Sequence, residues 1–477
     1  MNTTMTKPLY TAILGYLILS NCMACTPNVT EIGEEIDPSI TPSSPTLVEA
    51  IKVENSWLGL FNAGDTTVKV KPDKDVLPEK PAKAPDLSKI QKEAGKFRLV
   101  SVGGALSAGF RDGGLYREGQ LTAFPNLIAR QMGISFVQSL FSEAEGNGTG
   151  YKTVAGTAGP LVKFNMVTNN LGVIQRNGET AYTDFGDKDK VELDQLAFPE
   201  IQKGLQFFRY PSDELKYYKY VDRAVSADIK AKYAKPTDWV NDQKADLFIF
   251  EFGMDDTYRI VARGAGGLAG GGQLPYYFTP EYELARSLAK KQHKGVILNV
   301  PEVLDFPYFN QITAEMVRKS GLNLFVGQDS YDPGLHRLIP TPTTEKVLKG
   351  ELKPDVRGKV VLTTYDVISG NDFNSEQQMM SPKFYNTYFI GTAAKDTGWP
   401  VVDMYSLYKR IQAGGYVTDD RVAVNAAWPK GGNFFSADGV YPTAFGQAVI
   451  ANEVIKTLNR HYGLDIPLLQ TRFFLGK

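Results

Sequence analysis

The run FRLVSVGG at residues 97–104 decides the fold, because an almost continuous apolar strand ends there at two glycines. Three further apolar runs are bounded by glycine or proline, at residues 246–252, 295–300 and 358–364. Near-continuous apolar strands of this length are typical of a parallel sheet that is covered on both faces. The four runs therefore predict parallel strands.

Helical periodicity separates these runs, at residues 124–132, 280–291 and 444–459. Alternating strands and helices predict one α/β domain with a doubly wound parallel sheet flanked by helices. Ligands of such sheets bind beyond the carboxyl ends of the strands, so a functional site is expected in the loops after the strands. The six glycines at residues 264–272 predict a mobile loop near that edge and form no phosphate-binding motif.

The composition excludes several classes of protein. Hydrophobic residues make up 43% of the 477 residues and charged residues 22%, which is typical of a globular protein with a substantial core. The formal net charge of −1 gives no general affinity for nucleic acid. Cys22 and Cys25 are the only cysteines, so the body has neither a disulfide scaffold nor a Cys-rich zinc site, and we predict no cofactor.

The start of the chain predicts an export signal and a lipid anchor. The apolar run at residues 9–19 is too short to span about 30 Å of hydrocarbon and is typical of a signal peptide. The sequence LSNCMAC at residues 19–25 resembles a bacterial lipobox, in which the cysteine after the cleavage site is lipid-modified. We therefore expect a signal peptide over residues 1–21 and acylation of Cys22 or of Cys25. The alternative is ordinary secretion with two incidental cysteines.

Residues 22–95 predict a disordered tether that precedes a globular domain at residues 96–477. Residues 26–51 contain no Lys or Arg, and their carboxylates lie among prolines, so this stretch cannot bury enough apolar surface to offset its ordering entropy. A second stretch, at residues 66–85, is rich in Lys and Pro. Acidic residues after a lipid-modified cysteine are also compatible with export to the cell surface.

Three blocks at predicted strand ends resemble those of the SGNH (GDSL-type) hydrolases. They read VGGALSAG at residues 102–109, FGMDD at 252–256 and DGVYPT at 438–443. The continuation FRDGGLY at residues 110–116 is similar to a subgroup of large bacterial lipoproteins in that family. The resemblance implies a flavodoxin-like doubly wound sheet and assigns Gly156 to the glycine block that helps to bind the oxyanion.

The departures from the family pattern remove its chemistry. In this family a serine attacks an acyl carbon, a histidine takes its proton, an aspartate orients the histidine, and an asparagine with backbone amides holds the oxyanion. The serine position is Ala105, the asparagine position is Asp255 and the histidine position is Tyr441, whose phenol is a poor base at neutral pH. Asp438 keeps the position of the orienting aspartate. The resemblance therefore implies an inactive site, with the Tyr441 ring filling part of the old pocket.

Ser107 is the hydroxyl nearest to the missing nucleophile. Catalysis would require a base within about 3 Å of it, and the sequence identifies none. We expect Ser107 to cap the helix that follows. The three histidines, His293, His336 and His461, lie outside the three blocks, so structural or surface roles are expected for them.

Asp255, Asp256 and Asp438 form an alternative site if they converge, with Asp112 or Glu251 nearby. Clustered carboxylates bind Ca²⁺ or act as an acid–base pair. The competing hypothesis gives Asp256 and Asp438 loop and cap hydrogen bonds and predicts no metal.

Two functional hypotheses follow. The first is a non-catalytic lipoprotein of the outer membrane that uses a degenerate hydrolase domain as a binding surface. Similar large lipoproteins often occur alongside outer-membrane β-barrels of the long-chain fatty-acid transporter type. The resemblance therefore implies a β-barrel partner, in transport or in outer-membrane protein assembly, and membrane lipid as the second contact. The second hypothesis is a working ester, lipid or carbohydrate hydrolase with relocated catalytic groups.

Overall fold

The computed structural model describes residues 66–74, 76–92, 95–158, 161–176, 179–199, 219–233, 235–262, 264, 274–369 and 381–476. The predicted signal peptide, both cysteines and the acidic stretch after them lie outside the described residues, as do residues 265–272 of the glycine-rich loop. No helix in the described part of the chain is both long and apolar enough to cross a membrane.

Strands and helices are numbered separately, in chain order. The strands are β1 Thr66–Val68, β2 Leu99–Gly103, β3 Tyr151–Ala158, β4 Leu161–Val167, β5 Val173–Arg176, β6 Glu179–Tyr182, β7 Gln195–Ala197, β8 Leu247–Glu251, β9 Lys294–Leu298, β10 Leu324–Val326, β11 Asp329–Ser330, β12 His336–Leu338, β13 Val360–Leu362, β14 Val367–Ser369 and β15 Val401–Val402. The α-helices are α1 Ala105–Ala108, α2 Arg117–Leu121, α3 Phe124–Gln131, α4 Lys219–Ala224, α5 Ala227–Lys232, α6 Pro236–Asn241, α7 Met254–Val261, α8 Leu274–Lys290, α9 Pro307–Asn310, α10 Ala314–Lys319, α11 Pro342–Leu348, α12 Pro382–Phe384, α13 Gly391–Thr397, α14 Met404–Gln412 and α15 Ala444–Tyr462.

Five of these strands form an all-parallel sheet in the order β15-β9-β8-β2-β7, flanked by helices. β2 pairs with β8 from Leu99 opposite Leu247 to Gly103 opposite Glu251. Every residue of these two strands is buried, which is why both are apolar throughout most of their length. Because the strands are parallel, the residues that follow β2 and β8 meet at one edge of the sheet.

Three of the four predicted strands lie in this sheet and one does not. The runs at residues 97–104, 246–252 and 295–300 contain β2, β8 and β9. The run at residues 358–364 contains β13, which pairs with β10 in a separate three-stranded sheet. Val361 in its middle is 54% exposed, so the apolar composition of this run did not reflect burial on both faces. β7 and β15 were missed because strands of three and two residues are too short to show a pattern.

The three predicted helices are present as α3, α8 and α15. In α15 the side chain of Thr443 accepts a hydrogen bond from the Gly446 N–H at 3.1 Å and so caps the first turn. Gly463 ends the helix in the left-handed conformation, with φ of 65°. The apolar residues of α15 cover more than one face, as expected for a helix that is buried nearly all round.

The predicted tether extends too far along the chain. β1 pairs in parallel with β4, and Val76, Leu87 and Ile90 are buried. The stretch is rich in Lys and Pro, but Leu87 and Ile90 belong to the hydrophobic core of the domain. The described residues 66–74 and 76–92 are therefore attached to the body, and the predicted boundary at residue 96 is too late.

A second, smaller core lies in the chain between β9 and β15. It is formed by apolar residues of α10, α11 and the short strands around them, namely Ile312, Val317, Leu324, Leu338, Val347, Val360, Leu362 and Val367. The sequence patterns did not predict this core, because each of its strands has only two or three residues.

The packing of β9 against an aromatic ring gives a test of the fold. A Cβ on Gly295 would lie 2.3–2.5 Å from ring carbons of Trp399, which is buried. We expect Gly295→Ala to lower the free energy of unfolding by about 1–3 kcal/mol, because the ring has to move from a packed position. Urea unfolding measures the change.

Gly186→Ala is the matched control, since no described residue other than its chain neighbours has an atom within 4 Å of a Cβ at that position. We expect it to change the free energy of unfolding by less than about 0.5 kcal/mol. Equal effects of the two substitutions would contradict the packing of Gly295 on Trp399.

Candidate functional site

The turn that follows β2 is closed by two carboxylate-bearing residues. Gly103 lies opposite Glu251 at the ends of β2 and β8, and α1 begins at Ala105. A Cβ on Gly104 would lie 2.3 Å from Asp255 Oδ2, and a Cβ on Gly103 would lie 2.3 Å from the backbone oxygen of Glu251. Both positions require glycine because no larger residue fits without movement.

Asp255, in the first turn of α7, links this turn to the segment before α15. Its Oδ2 accepts a hydrogen bond from the Ala105 backbone N–H at 2.6 Å, and its Oδ1 accepts one from the Tyr441 phenol at 2.8 Å. Ala105, Tyr441 and Asp255 are 4%, 3% and 9% exposed. The first N–H groups of a helix have no partner within it, so Asp255 satisfies one such donor of α1. The three predicted degenerate positions are therefore in contact.

The ring of Tyr441 packs among other aromatic rings. Phe110 and Tyr258 lie edge-on to it, with centroid distances of 5.4 and 6.5 Å. Burial, together with the nearby Asp255 carboxylate, raises the pKa of Tyr441 well above its ordinary value. The phenol is consequently neutral at physiological pH and acts as a donor, so it cannot serve as a general base.

Ser107 was predicted to cap a helix. Instead, its Oγ donates a hydrogen bond to Glu251 Oε2 at 3.0 Å. The same carboxyl oxygen accepts the backbone N–H groups of Gly104 and Ser107, at 3.2 and 3.3 Å. A carboxyl group thus lies where the sequence identified no base. The signal that could have found it is a lone glutamate at the end of the otherwise apolar strand β8.

Two properties of this pair oppose catalysis. Ser107 is 0% exposed, and Glu251 is 3% exposed. Burial, and next the charge of Asp255, raise the pKa of Glu251 to about 8, so its carboxyl group is mostly protonated at neutral pH. A protonated carboxyl group cannot take the proton of a serine hydroxyl.

In the described part of the chain, the donors that hydrogen-bond to Asp438 are backbone N–H groups. Its carboxylate accepts from Gly113 at 3.1 Å, Val440 at 2.8 Å and Tyr441 at 2.9 Å. Burial, and next the charge of Asp112, raise the pKa of Asp438 to about 6. This geometry corresponds to the loop and cap role that the competing hypothesis gives to Asp438.

Two predicted site residues lie in other surroundings. Gly156 is in β3, in a different sheet from β2 and β8, and apart from its chain neighbours no residue in the described part of the chain has an atom within 4 Å of a Cβ built on it. Asp256 is in the first turn of α7, and its charge acts on the buried Glu281 of α8. Within the described residues, no group of three or more His, Cys, Asp or Glu side chains is arranged to hold a metal ion. The alternative cation site at Asp255, Asp256 and Asp438 therefore has no support there.

Lys152 is a buried charged residue that the sequence analysis missed. It lies in β3, is 1% exposed, and its Nζ has no hydrogen-bond partner in the described part of the chain. Burial lowers the pKa of Lys152 to about 7, and the charge of Asp438 opposes this shift. No sequence signal indicates this burial, because lysine side chains are usually exposed.

The histidines lie away from Ala105 and its neighbours. His293 is buried, with Nδ1 2.7 Å from the Ala245 oxygen and its ring edge-on to Phe248. His336 belongs to β12, and His461 lies in the last turn of α15. These are the structural and surface positions that were expected.

Comparisons with protein-family models, with curated proteins and with solved structures find no match to this chain. The resemblance to the SGNH hydrolases thus depends on the sequence blocks themselves and stays a prediction. What the geometry adds is that Ala105, Asp255 and Tyr441, one from each block, are in contact although they are 150 and 186 residues apart in sequence.

The raised pKa of Glu251 gives a pH dependence to stability. Between its ordinary pKa of 4.5 and about 8, the folded chain keeps a proton that the unfolded chain releases. The free energy of unfolding should therefore fall as pH rises through this window. Glu251→Gln has no proton to lose there, so we expect the variant to gain stability relative to the parent chain between about pH 5 and about pH 8. Urea unfolding at both pH values measures this.

Glu315→Gln, at an exposed position in α10, is the control and should change stability equally at the two pH values. Parallel pH profiles for Glu251→Gln and the parent chain would contradict the proposed protonation of Glu251.

Proposed function

We propose that this chain is a catalytically inactive, lipid-anchored outer-membrane protein whose domain resembles an SGNH hydrolase. It acts as a binding or accessory subunit of an outer-membrane β-barrel complex, in transport or in outer-membrane protein assembly. The strand order supports the finer fold assignment. Numbered along the chain within the central sheet, the strands run 2-1-3-4-5, which is the order of flavodoxin-like doubly wound folds.

The hydrogen bond from the Ala105 N–H to Asp255 Oδ2 carries the inactive part of the proposal. In the family pattern, a backbone amide beside the nucleophile helps to hold the developing oxyanion. Here the Ala105 N–H already donates a hydrogen bond to Asp255 Oδ2 at 2.6 Å. The Asp255 carboxylate would also repel the negative charge of an oxyanion. The neighbouring side chain is a methyl group, and the Tyr441 phenol donates to the same carboxylate. Nucleophile, base and oxyanion site are thus all lost at one place.

The second candidate function is a hydrolase that uses Ser107 with Glu251. The hydrogen bond of 3.0 Å between them favours it. The burial of both side chains and the raised pKa of Glu251 oppose it.

A fluorophosphonate probe separates the two functions, because it labels an activated serine covalently. We expect the full chain, purified in detergent, to show no stoichiometric labelling and no turnover of short acyl esters. Ser107→Ala is the matched variant, and its labelling by the probe and its turnover of esters should equal those of the parent chain. Stoichiometric labelling that Ser107→Ala abolishes would instead establish the hydrolase.

The partner part of the proposal is supported by exposed aromatic residues. Tyr365 and Tyr388 are 59% and 55% exposed, and tyrosine is enriched in protein interfaces. We expect the full chain, affinity-purified from detergent extracts of the cells that make it, to bring down an outer-membrane β-barrel protein in near-stoichiometric amount. Mass spectrometry of the eluate identifies it.

An acylated bait of unrelated fold, expressed in the same membrane, is the control for shared lipid. Recovery of the same barrel with both baits, or of no membrane protein at all, would contradict the partner assignment without affecting the prediction of inactivity.

A further inference from the structure

A cleft of about 410 Å³ lies at the edge of the central sheet opposite to Ala105 and Asp255. It is formed where the chain enters three neighbouring strands, because Arg98 precedes β2, Asp246 precedes β8 and His293 precedes β9. The rest of the wall comes from Lys92 and Lys96 before β2, from the end of α6 with the segment after it, and from the residue after α8. The lining residues are Lys92, Lys96, Arg98, Asn241, Asp242, Gln243, Lys244, Ala245, Asp246, Lys291 and His293.

Among the described residues that line this cleft, positive charge predominates, with five Lys and Arg residues against two carboxylates. The carboxylate of Asp246 is fully engaged, since its two oxygens accept the backbone N–H groups of Lys92 and Arg98, each at 2.7 Å. The Arg98 guanidinium is paired with Asp194 and with Glu192. The four lysines, in contrast, form no ion pair with any residue that the structure describes.

Two of the ammonium groups are held against the wall of the cleft. Lys92 Nζ donates to the Lys291 backbone oxygen at 2.9 Å, and Lys291 Nζ donates to the Asn241 backbone oxygen at 2.6 Å. An ammonium group has three N–H donors, so each retains donor capacity after this contact. Cations concentrated in a concave site raise the local concentration of anions.

We propose that this cleft binds a phosphate-type anion, either free phosphate or the phosphate of a lipid headgroup. Lys92, Lys96, Lys244 and Lys291 supply its charge, and lysine binds phosphate as a point charge. The site lies at the opposite sheet edge from the degenerate site and does not depend on the proposed function. The net charge of the whole chain, −1, does not reveal it, because the positive charge is local.

His293 is a natural reporter of the site. Burial lowers the pKa of His293, and the charges of Lys92 and Lys291 lower it further, whereas the Ala245 carbonyl and Asp246 oppose the shift. An anion bound between the two ammonium groups offsets their charge. Binding should therefore raise the pKa of His293.

The test uses the full chain in detergent, with ¹³C-labelled histidine, titrated by NMR at constant ionic strength. Replacing chloride with inorganic phosphate should raise the pKa of His293 by about 0.3 or more, saturably. The ¹³C signals of His336 and His461 should not respond to the replacement of chloride by phosphate, and they serve as internal references. Calorimetric titration with phosphate should show an affinity that Lys92→Gln with Lys291→Gln reduces by about tenfold.

Lys244→Gln should weaken binding as well, while Lys319→Gln, at an exposed position of α10, should leave it unchanged. Unchanged unfolding midpoints show that the variants are folded.

Titration with dihexanoyl phosphatidylglycerol below its micelle concentration identifies the source of the phosphate group that the cleft binds. The phosphatidylcholine analogue is the control. Tighter binding of phosphatidylglycerol than of phosphate indicates a lipid headgroup, and the reverse indicates free phosphate. Absence of saturable binding by both probes, or equal binding by the lysine variants, would overturn the proposal.

Discussion

The carboxylate of Asp255 fixes the geometry at the carboxyl edge of the central sheet. Transfer of a carboxylate from water to the interior costs several kcal/mol unless hydrogen bonds compensate for it. The compensation here comes from the Ala105 N–H and the Tyr441 phenol, so the turn after β2, the start of α7 and the segment before α15 are held together. Gly104 is required by the same contact, because a side chain there would occupy the position of the carboxylate oxygen.

The two edges of the sheet differ in their ionisable residues and in their accessibility. At the carboxyl edge, Glu251, Asp255 and Asp438 are buried and hydrogen-bonded to backbone or side-chain donors. At the amino edge, the lysines around His293 are exposed to solvent and line an open cleft. A buried polar group that keeps its hydrogen bonds avoids the cost of an unsatisfied one, whereas exposed, unpaired charges remain available to a ligand. Exposed lysine side chains therefore line the edge of the sheet that the sequence blocks did not indicate.

The sequence predicted the parts of the fold that have a long and regular pattern. β2, β8 and β9 were recognised because burial on both faces leaves an apolar run bounded by glycine or proline, and α15 was recognised by its helical periodicity. The contact among Ala105, Asp255 and Tyr441 followed from the blocks, since parallel strands bring their ends to one edge. The interaction of Ser107 with Glu251 was not predicted, because it depends on which way a single side chain turns. Lys152 was missed because lysine side chains are usually exposed.

A catalytic site has to admit a substrate, and the burial of the residues around Ala105 restricts access to this region. Ala105 and Tyr441 are almost completely buried, and Tyr441 packs edge-on against Phe110. Opening this region would expose the Asp255 carboxylate without its donors and would separate packed rings, so both the polar and the apolar contacts resist entry. Asp438 has three backbone donors and needs no histidine to account for its position. The hydrogen bonds and ring contacts of these residues are therefore sufficient to explain their positions.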